Sequence, residues 1–239
     1  MPDKIRVAIL DDHQSIVDGY VYRLEKDPFI EVSAPGVYGE DLEPMMAAHP
    51  SDVLLLDVSV PTSPKNPNPS PILHLIPRLL QNYPNLSVLV ISMHAERSLI
   101  KAIVDAGASG YILKDDRETL RDLSTAVQVV ARGGIHFSQQ AYQLLVRNDP
   151  HDEDVLSVRQ REILSLSAAY PNSTANDLAQ MLNVTASTVR NLLSTSYIKL
   201  GVNNRTGAIF KARQLGLITP VASLPSSLVN TAPSKTVPA

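Results

Sequence analysis

The chain has 239 residues and neither cysteine nor tryptophan, which excludes a disulfide framework, thiolate metal sites, iron–sulfur clusters and cysteine nucleophiles. Hydrophobic residues make up 44% and charged residues 19%, and at roughly 100–150 residues per domain the length points to two small packed domains. A net charge of −3 argues against a generally basic protein that coats nucleic acid.

The N-terminal run Met1-Pro2-Asp3-Lys4-Ile5-Arg6 mixes charges and lacks the apolar core of a signal peptide, so a cytoplasmic location is expected. From Arg6 to about Arg132 short β-rich runs alternate with longer amphipathic stretches, the pattern of a parallel α/β sheet. Five strands are expected, at Arg6–Leu10, Ile30–Ala34, Val53–Leu56, Ser87–Ile91 and Gly110–Leu113. Helices are expected near Gln14–Lys26, Tyr38–His49, Ile72–Asn82, Glu96–Ala106 and Arg117–Arg132. Strands one, three and four are apolar throughout, as when helices cover both faces of a sheet. They are far shorter than the roughly 20 residues that cross a bilayer, so no membrane partner is expected.

The fold class that follows is α/β, a doubly wound five-stranded parallel sheet over residues 1–133, joined to a small all-α domain at 155–218. Gly133-Gly134 ends the last helix of the first part, and the linker 134–154 carries a short helix near Gln139–Arg147 and an acidic run, Asp149 to Asp154. Four helices are expected beyond it, near Val158–Ala169, Thr174–Leu182, Ala186–Lys199 and Asn204–Leu215. Ser157 and Gln160 stand at capping-box spacing before the first. The tail 219–239, rich in Pro, Ser, Thr and Val, has the composition of a disordered segment.

In open α/β sheets ligands bind beyond the carboxyl ends of the strands. Here the first strand runs into Asp11-Asp12, the third into Asp57, the fourth into Ser92 and the fifth into Lys114. Taken singly, an Asp or Ser after a strand is often a helix cap and a Lys a solvated charge. Together they are three carboxylates on one rim, which repel unless a hard cation or a cationic side chain stands between them.

Asp11-Asp12-His13, Asp57 with Pro61 four residues on, Ser92 and Gly110-Tyr111-Ile112-Leu113-Lys114 resemble the receiver domain of bacterial response regulators over residues 4–133. The resemblance implies a non-enzymatic regulator whose Asp57 accepts a phosphoryl group from a cognate histidine kinase. It implies Mg²⁺ held by Asp12 directly, by Asp11 through water, by Asp57 and by the backbone carbonyl of Ser59. Ser92 and Lys114 would contact the phosphoryl oxygens, and Tyr111 would be the switch aromatic that turns inward. A haloacid-dehalogenase-type phosphatase, the enzymatic alternative, wants a second carboxylate where Ser59 stands. One stretch departs from the receiver pattern: five prolines between Pro61 and Pro71 disfavour helix and favour a stiff, extended loop beside Asp57. Shielding of the phosphoryl group or choice of kinase are the roles its position suggests.

Thr174 to Lys199 has helix-turn-helix spacing, with Asn183 suited to a left-handed turn and Thr185 to a cap. In the second helix Val189, Leu192, Leu193, Tyr197 and Leu200 share an apolar face, and Ser187, Arg190, Asn191 and Ser194 lie opposite, where they can reach phosphates and base edges. Leu156-Ser157-Val158-Arg159, Thr188-Val189-Arg190, Lys199-Leu200-Gly201-Val202 and Arg205-Thr206 resemble the LuxR-type output domain, which with the receiver makes a NarL/FixJ-type regulator. That resemblance implies double-stranded promoter DNA as partner and a homodimer formed through the last helix. Leu192 and Ser194 stand where the family often has His and Lys, so modest affinity with a shallow salt dependence is expected. A phospho-regulated adaptor that binds protein is the alternative. The charge distribution favours DNA: residues 1–154 carry 13 Lys and Arg against 22 Asp and Glu, and 155–217 carry 7 against 2. The same asymmetry could hold the two parts together before phosphorylation.

Overall fold

Val7, Ala8, Ile9 and Leu10 are all fully buried, which a strand achieves only when helices cover both faces of its sheet. The computed structural model, which describes residues 4–147 and 155–221, places them in β1 (Ile5–Leu10). In chain order there follow α1 (Gln14–Leu24), β2 (Ile30–Gly36), a 3₁₀ turn (Gly39–Asp41), α2 (Leu42–Ala48) and β3 (Val53–Leu56). Then come β4 (Pro61–Ser63), β5 (Asn66–Pro69), α3 (Ile72–Asn82), β6 (Ser87–Ser92), α4 (Arg97–Asp105) and β7 (Gly110–Leu113). The α/β part closes with α5 (Arg117–Arg121), α6 (Leu123–Ala131), β8 (His136–Phe137) and α7 (Gln139–Val146). The main sheet is parallel, in the order β2-β1-β3-β6-β7-β8.

Alternate residues face opposite sides of the sheet. Val7, Ile9, Val53, Leu55, Leu89 and Ile91 meet α1 and α6 through Val17, Leu24, Leu123 and Val127. Ala8, Leu10, Leu54, Leu56, Val88 and Val90 meet α2, α3 and α4 through Met46, Ile76, Leu79 and Ile103.

Three features differ from the expected elements. The sheet has six strands, because β8 adds to the edge of β7 with Gly110 opposite His136 and Tyr111 opposite Phe137. A strand of two residues carries too little periodicity to be seen in sequence, whereas α7 falls where the short helix near Gln139–Arg147 is expected. The helix expected over Arg117–Arg132 breaks at Asp122, whose carboxylate accepts from the Thr125 hydroxyl at 2.8 Å. The proline-rich stretch forms an antiparallel hairpin, β4 with β5, around a turn at Pro64-Lys65. An isolated two-stranded ribbon has outward edges, so residues without an N–H are tolerated there.

The helical part holds α8 (Val158–Ala169), α9 (Ala175–Leu182), α10 (Ala186–Leu200) and α11 (Arg205–Gln214). Ser157 and Gln160 form the expected capping box. Every residue of α8 from Gln160 to Ala169 is buried, because the helix lies between its own bundle and the α/β part. Leu164 and Ala168 join the same apolar cluster as Ile72 and Ile76. Polar ties cross the junction as well: His74 Nδ1 lies 2.9 Å from Glu162 Oε1, Arg161 donates to Asp105 at 3.1 Å, and the Ser98 hydroxyl donates to the Leu215 carbonyl at 2.8 Å. Thr219, at the start of the expected tail, is buried; the acidic linker 148–154 and residues 222–239 lie outside the described residues.

The sixth strand rests on the absence of a side chain at Gly110, where an added methyl would run into the His136 carbonyl and lie 2.9 Å from Leu89 Cδ1. Gly110→Ala is therefore expected to cost about 1–3 kcal/mol in denaturant unfolding. An unchanged midpoint would contradict the close pairing of β7 with β8.

Candidate functional site

The chain runs from β1 outward to β2 and then returns to place β3 on the other side of β1, so the carboxyl ends of β1 and β3 lie side by side where the sheet order reverses. Leu10 pairs with Leu56, and Asp57 N donates to the Leu10 carbonyl at 2.8 Å. Asp11 and Asp57 are thereby brought together, 2% and 4% exposed. Asp12 and His13 lie at the open rim, and one ligand atom from each of Asp11, Asp12, His13 and Asp57 falls within a span of 4.8 Å. This acidic cluster can hold a metal ion.

Lys114 follows β7, and its backbone N–H donates to the Ser92 carbonyl at 2.8 Å, which sets the direction of its side chain. Its Nζ stands 2.7 Å from Asp11 Oδ2 and 3.2 Å from Asp57 Oδ2, with the side chain 8% exposed. One ammonium thus bridges two buried carboxylates. Burial pushes the Asp57 carboxyl above the ordinary range; Lys114 opposes this and the Asp11 charge adds to it.

Ser92 is fully buried at the end of β6, its hydroxyl accepting from His94 N at 3.2 Å. Tyr111 is also fully buried, and its hydroxyl donates to the His94 carbonyl at 2.7 Å. Its ring joins the apolar cluster that also takes in Ala141 of α7 and Phe137 of β8. Ser59, half-buried, has its hydroxyl 2.9 Å from His94 Nε2. His94 was not anticipated from sequence, and its position two residues after Ser92 is the one signal that pointed to it.

At the other end of the chain Asn183 adopts the left-handed conformation, φ 52° and ψ 48°, and the Thr185 hydroxyl caps α10 by accepting from Thr188 N. Val189 and Leu200 are buried, and Leu192, Leu193 and Tyr197 are half-buried. Ser187, Arg190, Asn191 and Ser194 are all exposed on the opposite face, and among the described residues no salt bridge holds Arg190. The Ser194 hydroxyl donates to the Arg190 carbonyl at 3.0 Å within the helix. Docking of α8 against the α/β part leaves this face uncovered.

Comparison with known proteins agrees with this layout. Residues 7–125 match the response regulator receiver domain, and residues 154–200 match sigma-70, region 4. The transcriptional regulatory protein MctR of Rhizobium johnstonii is 30% identical, over 91% of this chain and 97% of that protein. The chain belongs to the NarL/FixJ-type response regulators. The transcriptional regulatory protein DegU of Brevibacillus brevis is 29% identical to this regulator, over 90% of the chain and 96% of its own length. Among solved structures, RcsB of Salmonella enterica serovar Typhimurium bound to promoter rprA shares the fold with a TM-score of 0.62 at 22% identity, covering 87% of this chain and 98% of its own.

Charge asymmetry suggests that the two parts of the regulator associate, but not which residues join them. His74 sits in an apolar helix run, Ile72-Leu73-His74-Leu75-Ile76, and such a residue on a buried face needs a partner. The partner, Glu162, is 88 residues away. Burial raises the Glu162 pKa, but hydrogen bonds from His74 and Arg159 outweigh it and hold the carboxyl below its ordinary range.

Asp57 and Glu162 are shifted in opposite directions, and the shift of Asp57 sets a pH dependence of stability. Folding raises the pKa of Asp57, so its ionised form costs stability at neutral pH, and that cost fades as pH falls through the raised value. Asp57→Asn is expected to raise the Tm of metal-free protein at pH 7 by a few degrees, with the gain shrinking in acid. Thermal unfolding at several pH values checks this, and a variant melting below the parent at neutral pH would contradict it.

Proposed function

We propose that this response regulator accepts a phosphoryl group on Asp57 from a cognate histidine kinase and controls transcription by binding double-stranded promoter DNA through α10. The observation that carries the first half is the buried junction of Asp11, Asp57 and Lys114 at the reversal of the sheet. A kinase phosphohistidine would lose its N–P bond as Asp57 Oδ gains the new O–P bond. Lys114, already within reach of both carboxylates, would then bind a phosphoryl oxygen by a charge-assisted hydrogen bond. Ser92, at the neighbouring strand end, is the proposed hydroxyl donor to a second oxygen.

The three carboxylates of the cluster are hard oxygen donors, which suit Mg²⁺; Asp12, Asp11, Asp57 and the Ser59 carbonyl are the proposed holders, with His13 left outside the set. When bound, the ion supplies positive charge that offsets the crowded carboxylates and the incoming phosphoryl group. Asp11 and Lys114 orient the acceptor, and burial of Asp57 keeps bulk water from its carboxylate.

For the second half, Arg190 and Asn191 are the proposed contacts to base edges, with Ser187 and Ser194 to phosphates. The family match and the open face of α10 support DNA over a protein ligand. A homodimer on paired half-sites, formed through α11, is the proposed assembly.

Incubation with acetyl phosphate and Mg²⁺ is expected to label the parent and not Asp57→Asn; continued labelling of the variant would overturn the assignment. In gel shifts on a regulated promoter, Arg190→Ala is expected to weaken specific binding by about tenfold or more, the loss of one good base contact. Unchanged binding would remove α10 from the interface.

A further inference from the structure

The hairpin of β4 and β5 follows closely on the site, with only Val58, Ser59 and Val60 between Asp57 and Pro61. Val58 and Val60 are fully buried, so this connector has little freedom of its own. The hairpin is stitched to its root: Ser70 N donates to the Val60 carbonyl at 2.9 Å, the Ser70 hydroxyl to the Pro61 carbonyl at 3.1 Å, and the Thr62 hydroxyl to the Asn68 carbonyl at 2.8 Å. Pro61, Pro67 and Pro69 fix φ along both strands. A displacement at residues 58–60 would therefore move the hairpin as a unit.

Its far strand grips the helical domain. Asn66 Nδ2 donates to the Ala169 carbonyl at 2.9 Å and Asn68 Nδ2 to the same oxygen at 3.4 Å, while Asn66 Oδ1 accepts from Asn68 Nδ2 at 2.8 Å and holds the two amides together. Ala169 ends α8, where helix carbonyls have no partner within the helix, so the hairpin supplies donors that the helix lacks. Helix α3 begins directly after the hairpin and carries His74 against Glu162. One continuous segment thus runs from Asp57 to two contacts on α8.

Helix α4, which follows Ser92, also touches the helical domain, through Asp105 to Arg161 and Ser98 to the Leu215 carbonyl, but it does not start from Asp57 itself. Tyr111 is fully buried with its hydroxyl bonded to the His94 carbonyl, and its strand, β7, is flanked by the edge strand β8. The docked junction also contains an uncompensated group. Arg213 Nε and Nη2 are buried without a hydrogen-bond partner among the described residues, in a small gap lined by Pro69, Ser70, Ser165 and Thr219. A guanidinium in that state opposes docking and leaves the closed arrangement easier to shift.

We infer that the hairpin at residues 61–69 carries the state of Asp57 to the helical domain, through the Asn66 and Asn68 grip on Ala169 and the seating of α8 on α3. Because the DNA-facing side of α10 stays open in the docked form, the signal sets where α8, and with it α9 and α10, is held relative to the receiver. It does not act by uncovering α10. The inference rests on Asp57 being the phosphoacceptor.

The absence of native cysteine allows a direct test on the full chain. Spin labels at Gln81→Cys and Gln180→Cys report the separation of the two parts by pulsed dipolar spectroscopy, with and without acetyl phosphate and Mg²⁺, while labelling of Asp57 is followed in the same samples. The expected result is a shift in the distance distribution of the parent on phosphorylation. Asn66→Ser/Asn68→Ser should label normally and lose that shift, and Arg213→Met should label normally and remain docked. A double variant that labels and shifts as the parent does would overturn the inference, as would a parent that labels without any shift. A parent that fails to label at Asp57 would overturn the phosphoacceptor reading first and this inference with it.

Discussion

Everything in this molecule depends on the pairing of two parallel strands, β1 and β3, at the point where the sheet order reverses. Their registry sets two acids at adjacent strand ends, buried, where like charges repel most strongly. A lone pair of ionised carboxylates there would be unstable. Lys114 resolves the conflict in part, entering from a strand two places away to stand between them. What remains is an unbalanced negative site at the rim, with Asp12 and His13 beside it, suited to a cation and then to a phosphoryl group.

The second constraint is that α8 is buried from both sides. An amphipathic helix needs one apolar stripe, but α8 has buried residues all round, among them Gln160, Arg161 and Glu162. The three long polar side chains can be buried there because each finds a partner: Gln160 reaches Thr195, Arg161 reaches Asp105 and Glu162 reaches His74. Of the charged contacts described at this junction, Arg161–Asp105 follows the charge asymmetry of the two parts, whereas His74–Glu162 places the acid on the basic part and so runs against it. The rest is apolar packing and hydrogen bonds to carbonyls. Docking is therefore specified by shape and pairing more than by net charge.

How much of this was legible in the sequence follows from the range of each interaction. The five principal strands and the helices were readable because their patterns are local, and α3 and α8 begin and end where the periodicity places them. The acids and Lys114 were readable because strand ends in a parallel sheet converge by topology alone. Asn183 and Thr185 were readable because turn and cap chemistry lies within a few residues. The hairpin was visible only as an excess of proline, since cross-strand pairing and the bonds to Ala169 connect residues up to 103 apart. The sixth strand was hidden because its stability comes from Gly110 yielding room, a property of the neighbour and not of His136 and Phe137.

Within the cluster, Asp57 combines burial, a raised pKa and contact with Lys114. After exposure to acetyl phosphate and Mg²⁺, reduction with borohydride converts an aspartyl phosphate to homoserine, which peptide mass spectrometry can locate. The account predicts homoserine at position 57 with Asp11 and Asp12 intact. Homoserine at either of those residues, or none at position 57, would contradict it.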